Sequence, residues 1–244
     1  DMGPWLIIPC FNEAERLSKR ELAQLLTHSF QLILVDDGSK DASWALINQL
    51  EKQYPEQVYG IRLEHNQGKA EAIRIGINYA LGFSPEVIGY LDADFAVPAS
   101  EMIRLYETLQ SRSDIQVLLG SRWLRLGAEI KRSAIRHYIS RIFATFASRL
   151  LRIPVYDTQC GAKLFRVSDS LRIAIDQPFV SRWAFDVELI GRLLNCGCPL
   201  ECFLEVPLNI WTEKSGSKMG VSAMTRSSIE LISIGQSLKT FRLK

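Results

Sequence analysis

Strand and helix signals alternate through the first half of this chain, and that alternation leaves few folds open. Apolar runs at Trp5–Cys10, Leu32–Val35, Val58–Leu63, Val87–Leu91 and Val117–Leu119 predict strands, with helical stretches between them near 17–28, 41–53, 69–82 and 99–111. Such alternation builds βαβ units, whose parallel strands need helices on both faces of the sheet. The expected fold class is α/β, a mainly parallel sheet flanked by helices. No repeat, low-complexity tract or Pro/Gly/Ser-rich linker interrupts residues 1–244, which predicts one domain.

In an open parallel sheet, ligands bind where the loops converge outside the carboxyl ends of the strands. Three predicted strands end there in acidic motifs: PCFNEAER, DDGSKD and DADF. Side chains two apart on an extended segment share a face, so Asp92 and Asp94 can hold one hard divalent cation, Mg2+ or Mn2+, completed by nucleotide phosphates. Carboxylates crowded on one rim repel each other without a cation or polar ligand, which favours a metal-nucleotide site. DDGS also reads as a turn and helix N-cap, and both roles are compatible.

HNQGKAEAIRIGI places Gly68 and Lys69 at a helix start. A cation opposes the macrodipole there, so Lys69 is expected to have an anionic partner such as a phosphate. Neither a P-loop nor a dinucleotide G-x-G-x-x-G motif is present, which argues against a mononucleotide hydrolase and a dinucleotide oxidoreductase.

Composition excludes other classes. Lys+Arg 29 and Asp+Glu 27 nearly cancel to +2, and the cationic residues lack interleaved stacking aromatics, so nucleic acid is not an expected partner. No run of about 18 apolar residues and no signal-peptide pattern occurs, which predicts a cytoplasmic chain without a spanning helix. Cys10, Cys160, Cys196, Cys198 and Cys202 lack zinc-module spacing and read as reduced structural thiols.

The motifs LIIPCFNEAER, LILVDDGSKD, HNQGKAEAIRIGI, DADF, GSR and DTQCGAKLF resemble, in that order, those of family 2 glycosyltransferases with the Rossmann-like GT-A fold. RWAFDVELI and WTEKSGSK are similar to the dolichyl-phosphate β-glucosyltransferase-like branch, which moves a sugar from a nucleotide to a polyprenyl phosphate. The resemblance implies that Pro9, Phe11 and Glu13, with Asp36 or Asp37, line the base and ribose pocket. It implies that Gly68 and Lys69 border the nucleotide, that Asp92 contacts ribose or metal, and that Asp94 is the main metal ligand. Arg122 in GSR and Arg136, four residues before Ser140, match arginines that bind the lipid phosphate. Ser217 and Lys218 resemble a lid over the diphosphate. Ala96 stands where some members carry a metal-binding Gln, which leaves that coordination position to water or phosphate.

The activity implied is transfer with inversion, the expected donor UDP-glucose and the expected acceptor a polyprenyl phosphate. Asp157 in DTQCG is the first candidate for the carboxylate facing the acceptor. A phosphate acceptor is largely ionised at neutral pH, with a second pKa near about 6, so Asp157 would orient rather than deprotonate. Asp186 and Glu188 in RWAFDVEL are the alternative, since the resemblance implies a base on that helix, and Asp186 also reads as a helix-start carboxylate.

Ile130–Ile153 predicts a basic amphipathic helix: Ile135, Tyr138, Ile139, Ile142, Phe143, Phe146 and Leu150 recur at helical spacing. Between Arg125 and Arg152 seven Lys/Arg face one Glu, a local charge of +6. Such a helix would suit a peripheral enzyme at the cytoplasmic membrane face, or would pack on its own domain. A second helix is expected near 225–242. Oligomeric state is open. Two rival functions remain: the same fold acting on a soluble or glycan acceptor, and a nucleotide-sugar-binding protein without turnover.

Overall fold

Alternate residues of the first strands enter different cores. In β1 (Trp5–Cys10), Trp5 and Ile7 join one apolar cluster while Leu6, Ile8 and Cys10 join another. The same division recurs in β2 (Gln31–Asp36), where Ile33 and Val35 face one way and Leu32 and Leu34 the other. Strands buried on both faces read as unbroken apolar runs because neither face meets water.

The computed structural model describes the backbone of residues 3–131, 134–214 and 221–241, and their side chains except at 134–137, 139 and 221–228. The remaining strands are β3 (Val58–Arg62), β4 (Val87–Leu91), β5 (Val117–Ser121), β6 (Glu129–Lys131), β7 (Ala162–Arg166), β8 (Phe203–Pro207) and β9 (Ile210–Thr212). Seven form one sheet in the order β3-β2-β1-β4-β7-β5-β8, while β6 and β9 pair separately. Within the large sheet β7 runs antiparallel to both neighbours and every other pairing is parallel.

Helices α1 (Lys19–Thr27), α2 (Ser43–Gln53) and α4 (Ala99–Gln110) cover one face. The other is covered by α3 (Lys69–Leu81), α5 (Ala134–Leu151), α6 (Asp169–Asp176), α7 (Phe185–Asn195) and α8 (Val221–Phe241). No helix among the described residues is long and apolar enough to cross a membrane.

The expected strands and first four helices are present, with ends displaced by a few residues. The helix expected from Ile130 starts instead at Ala134, because Glu129–Lys131 pairs as a strand with Ile210–Thr212. Its apolar positions also divide: Phe143, Ala147 and Leu151 are buried, whereas Tyr138, Ile142 and Phe146 are exposed. The helix expected near 225–242 is α8.

Candidate active site

The carboxyl ends of β1, β2, β4 and β5 open into a cleft of about 560 Å³. The motifs at its floor brace one another. Asn12, at φ 53, donates its N–H to Ser39 Oγ at 2.9 Å, and its Oδ1 accepts from Lys40 N at 2.9 Å. Glu13 N donates to Ser43 Oγ at 2.8 Å, so the DGSKDAS turn holds the PCFNE loop in place. Asp37 accepts from the backbone of Gln67 and Gly68 at 2.7 and 2.8 Å, fastening the loop before α3. Burial pushes the Asp37 pKa up, against the pull of those two N–H groups.

Pro9, Phe11, Glu13, Asp37, Gly68, Lys69, Asp92, Asp94, Arg122 and Asp186 all line this cleft. Asp36 does not: it is fully buried at the end of β2 and accepts from Ser39 N at 3.2 Å. Asp157 is likewise absent from the wall. The side chain of Arg136, and Ser217 and Lys218, lie outside the described residues.

The carboxylate pair sits where β4 ends. A Cβ on Gly161 would lie 2.1 Å from Asp92 Oδ2, so only glycine lets the DTQCG turn approach that carboxylate. Lys69 Nζ meets Asp92 Oδ1 at 2.5 Å and lies over the Phe185 ring at 5.8 Å. The anionic partner of Lys69 in the protein itself is thus Asp92. Burial works against the Lys69 charge, but Asp92 and then Asp186 outweigh it and raise its pKa. Asp94 is pushed up by burial and by the charge of Asp92. Two carboxylates so placed suit a divalent cation, whose charge would relieve both effects. No group of three or more His, Cys, Asp or Glu that could hold a metal occurs among the described residues. Asp92 and Asp94 therefore fit Mg2+ or Mn2+ that takes its remaining ligands from water and phosphate, as hard cations commonly do.

Arg122 and Asp157 are bound to each other. Arg122 donates from Nε and Nη2 to the two carboxylate oxygens at 2.7 and 2.8 Å, and from its backbone N at 3.0 Å. Although burial alone would push Asp157 up, Arg122 holds its carboxyl far below the usual range. Asp157 N and Tyr156 N donate in turn to Glu205 at 2.7 and 2.8 Å. Arg122 also lies over Trp211 at 5.6 Å.

Asp186 reaches the cleft from the first turn of α7 while bonded to Lys163 Nζ at 2.7 Å and to the Tyr90 hydroxyl. Lys163 is fully buried on β7 and donates also to Cys160 O at 2.6 Å. Burial and the charge of Asp186 drive the Tyr90 pKa well up, so its hydroxyl remains a donor. All five cysteines are free thiols, and burial pushes Cys160 up to about 12.

Sequence reasoning missed Arg16, Asn66, Gln159, Arg182, Trp183, Trp211 and Lys214, all in the wall. Arg182 and Trp183 stand inside a motif read only for its carboxylates. The position of Arg182 beside Gly68 depends on a fold of the chain between distant segments.

The profile described as "Glycosyl transferase family 2" matches residues 5–172. The chain belongs to this family. It is 31% identical over 233 residues to a dolichyl-phosphate β-glucosyltransferase of Dictyostelium discoideum, covering 88% of this chain and 68% of that protein. It is 32% identical over 234 residues to the Homo sapiens protein of that name, with the same coverage. A polyprenol monophosphomannose synthase of Mycolicibacterium smegmatis is 26% identical, over 92% of this chain and 82% of its own length. Among solved structures, a mannosyltransferase from Pyrobaculum calidifontis, in complex with GDP-Man and Mn2+, superposes with a TM-score of 0.60 at 15% identity. That match covers 98% of this chain and 64% of the other, so this chain spans somewhat under two thirds of that structure. S. aureus TarS 1–349 with UDP gives 0.59 at 15% identity, covering 97% of this chain and 65% of the other. These likenesses establish the fold as GT-A.

Proposed function

We propose that this member of glycosyl transferase family 2 moves glucose from UDP-glucose to a polyprenyl phosphate, with inversion and a divalent cation, at a membrane surface. The observation that carries the reading is one cleft lined together by the Asp92–Asp94 pair, Lys69 and Arg122. The names of the dolichyl-phosphate relatives support the acceptor class.

In this reading Pro9, Phe11, Glu13 and Asp37 take the base and ribose, and Asp92, Asp94 and Lys69 face the diphosphate. Bound at the two aspartates, Mg2+ or Mn2+ would neutralise charge developing on the leaving phosphate. Lys69 adds a fixed cation there, and Ser217 and Lys218 are proposed to close over it. Arg122, its guanidinium plane held by Asp157, and Arg136 receive the acceptor phosphate. A phosphate oxygen attacks C1 of the sugar, the bond from C1 to the diphosphate oxygen breaks, and the nucleoside diphosphate leaves with that electron pair. The attacking oxygen is already ionised, so no base is required. Asp157, kept ionised by Arg122, is a positioning carboxylate.

An exposed stripe of Tyr138, Ile142 and Phe146 on α5, with Ile229 and Ile232 exposed on the adjoining α8, favours a membrane-surface acceptor over a soluble one. The test is transfer of radiolabelled sugar from UDP-glucose, GDP-mannose or dTDP-glucose to a polyprenyl phosphate, with manganese, magnesium or chelator. Label should enter the organic phase from UDP-glucose, disappear with chelator and fall about a hundredfold in Asp94→Asn. Label entering only water-soluble glycans would overturn the acceptor, and chelator-resistant transfer would overturn the metal.

A further inference from the structure

Helix α7 carries Asp186 into the cleft, yet its N-cap is Ala184, which has no side-chain oxygen to offer. Its own acidic side chains are used elsewhere. Asp186 turns to Lys163 and Tyr90, and Glu188 reaches back to accept from Val180 N and Ser181 N at 3.0 and 3.2 Å. Ser181 Oγ accepts from Ala184 N at 2.8 Å, and the rest of the cap comes from another helix. Glu230 of α8 places one oxygen, Oε2, against Trp183 N at 3.1 Å, Ala184 N at 3.0 Å and the Ser181 hydroxyl. An anion at the N-terminus of a helix of this length is favoured by the free N–H groups and by the dipole.

The segment held in this way forms one wall of the cleft. Arg182 and Trp183 lie in it, and Arg182 donates to Asn66 Oδ1 at 3.0 Å while packing on Gly68, where a Cβ would stand 2.9 Å from its Nε. Two carboxylates therefore fix one short loop, Glu188 from the helix that follows it and Glu230 from α8. Only Glu230 belongs to an element remote in sequence, one that begins seven residues after the cleft residue Lys214.

We infer that Glu230 is a positioning residue for nucleotide binding: it helps cap α7 from α8 and so holds Arg182 against the Asn66–Gly68 loop. This rests on the proposal that the cleft takes a nucleotide sugar. An uncharged amide oxygen can accept the same three hydrogen bonds, whereas a methyl group cannot.

The experiment is calorimetric titration of UDP with manganese into wild type, Glu230→Ala, Glu230→Gln, Arg182→Ala and the Glu230→Ala/Arg182→Ala double variant, with thermal unfolding as a check of folding. Glu230→Ala should weaken UDP binding about tenfold and Glu230→Gln by no more than about threefold, as expected for loss of the hydrogen bonds and for their retention without the charge. The double variant should bind no worse than Arg182→Ala, because Glu230 acts through that loop. A folded Glu230→Ala that binds like wild type overturns the inference, and so do equal losses in the Ala and Gln variants or additive losses in the double. If Glu230→Ala does not fold, Glu230→Asp, one methylene too short to reach the loop, takes its place in the cycle with the same outcomes. A wild type that binds neither UDP nor GDP overturns the function proposed above and this inference with it. A wild type that binds while every Glu230 variant binds equally overturns this inference alone.

Discussion

Asp157 joins the wall residue Arg122 to the sheet behind it, since its carboxylate fixes Arg122 while its own backbone N–H donates to Glu205 on β8. Its folded pKa lies below that of an unfolded aspartate, about 3.9. The ionised form therefore stabilises the fold. That contribution is fully present above about pH 4 and declines as pH falls toward the folded value. Asp157→Asn should cost about 3 kcal/mol at pH 7, because it leaves the Arg122 cation buried without its partner. In urea denaturation followed by circular dichroism, the gap between wild type and variant should narrow as pH is lowered below about 4. A gap independent of pH would mean that packing, not charge, holds this position.

Among the elements, α5 joins the core and the surface at once. Phe143, Ala147 and Leu151 point inward, and Tyr138, Ile142 and Phe146 form an outward stripe. The charge expected to lead membrane contact is partly engaged elsewhere. Arg141 donates to Tyr156 O at 2.6 Å and stacks on that ring at 3.6 Å, so its guanidinium braces the loop that precedes Asp157. Vesicle attachment should then depend more on the apolar stripe than on Arg141. Ile142→Asp with Phe146→Asp should reduce sedimentation with anionic vesicles about tenfold or more, since each buried apolar side chain contributes roughly 1.5–3 kcal/mol. Equal binding by the double variant and wild type would return α5 to a purely internal role.

For the molecule as a whole, β7 is the joint. It runs against both β4 and β5, and its Lys163 reaches across to Asp186 on α7, tying the sheet to the helix that forms a wall of the cleft. Gly89 permits this, because a Cβ there would lie 2.4 Å from Lys163 O. Removing one partner from a buried pair leaves the other charge uncompensated, so Lys163→Met should lower stability by about 3–5 kcal/mol. Adding Asp186→Leu should restore part of that loss, because an apolar pair needs no counter-charge, while nucleotide-dependent turnover stays low. Chemical denaturation of the two variants checks both statements, and a Lys163→Met cost under about 1 kcal/mol would show that the pair is not what joins β7 to α7.

Local physics made the first five strands and four helices legible, because hydrophobic periodicity is carried by neighbours a few residues apart. The same local logic marked Asp92 and Asp94 as a carboxylate pair and Lys69 as a cation in want of an anion. Strand β4 ends at Leu91, however, so the pair stands in the turn that follows rather than on one face of an extended strand. The antiparallel β7 was not legible. Its five residues carry a lysine at the second position, and only the antiparallel insertion between β4 and β5, with Asp186 waiting on α7, makes a buried ammonium tolerable there. Nor could spacing show that Arg122 and Asp157, read as separate parts of the site, are partners 35 residues apart, or that Asp37 serves the Gly68 loop. Arg182 and Trp183 became site residues for the same reason. A sequence determines which segments must hide their apolar faces, while the approach of two polar groups far apart in the chain depends on the closure of the whole fold.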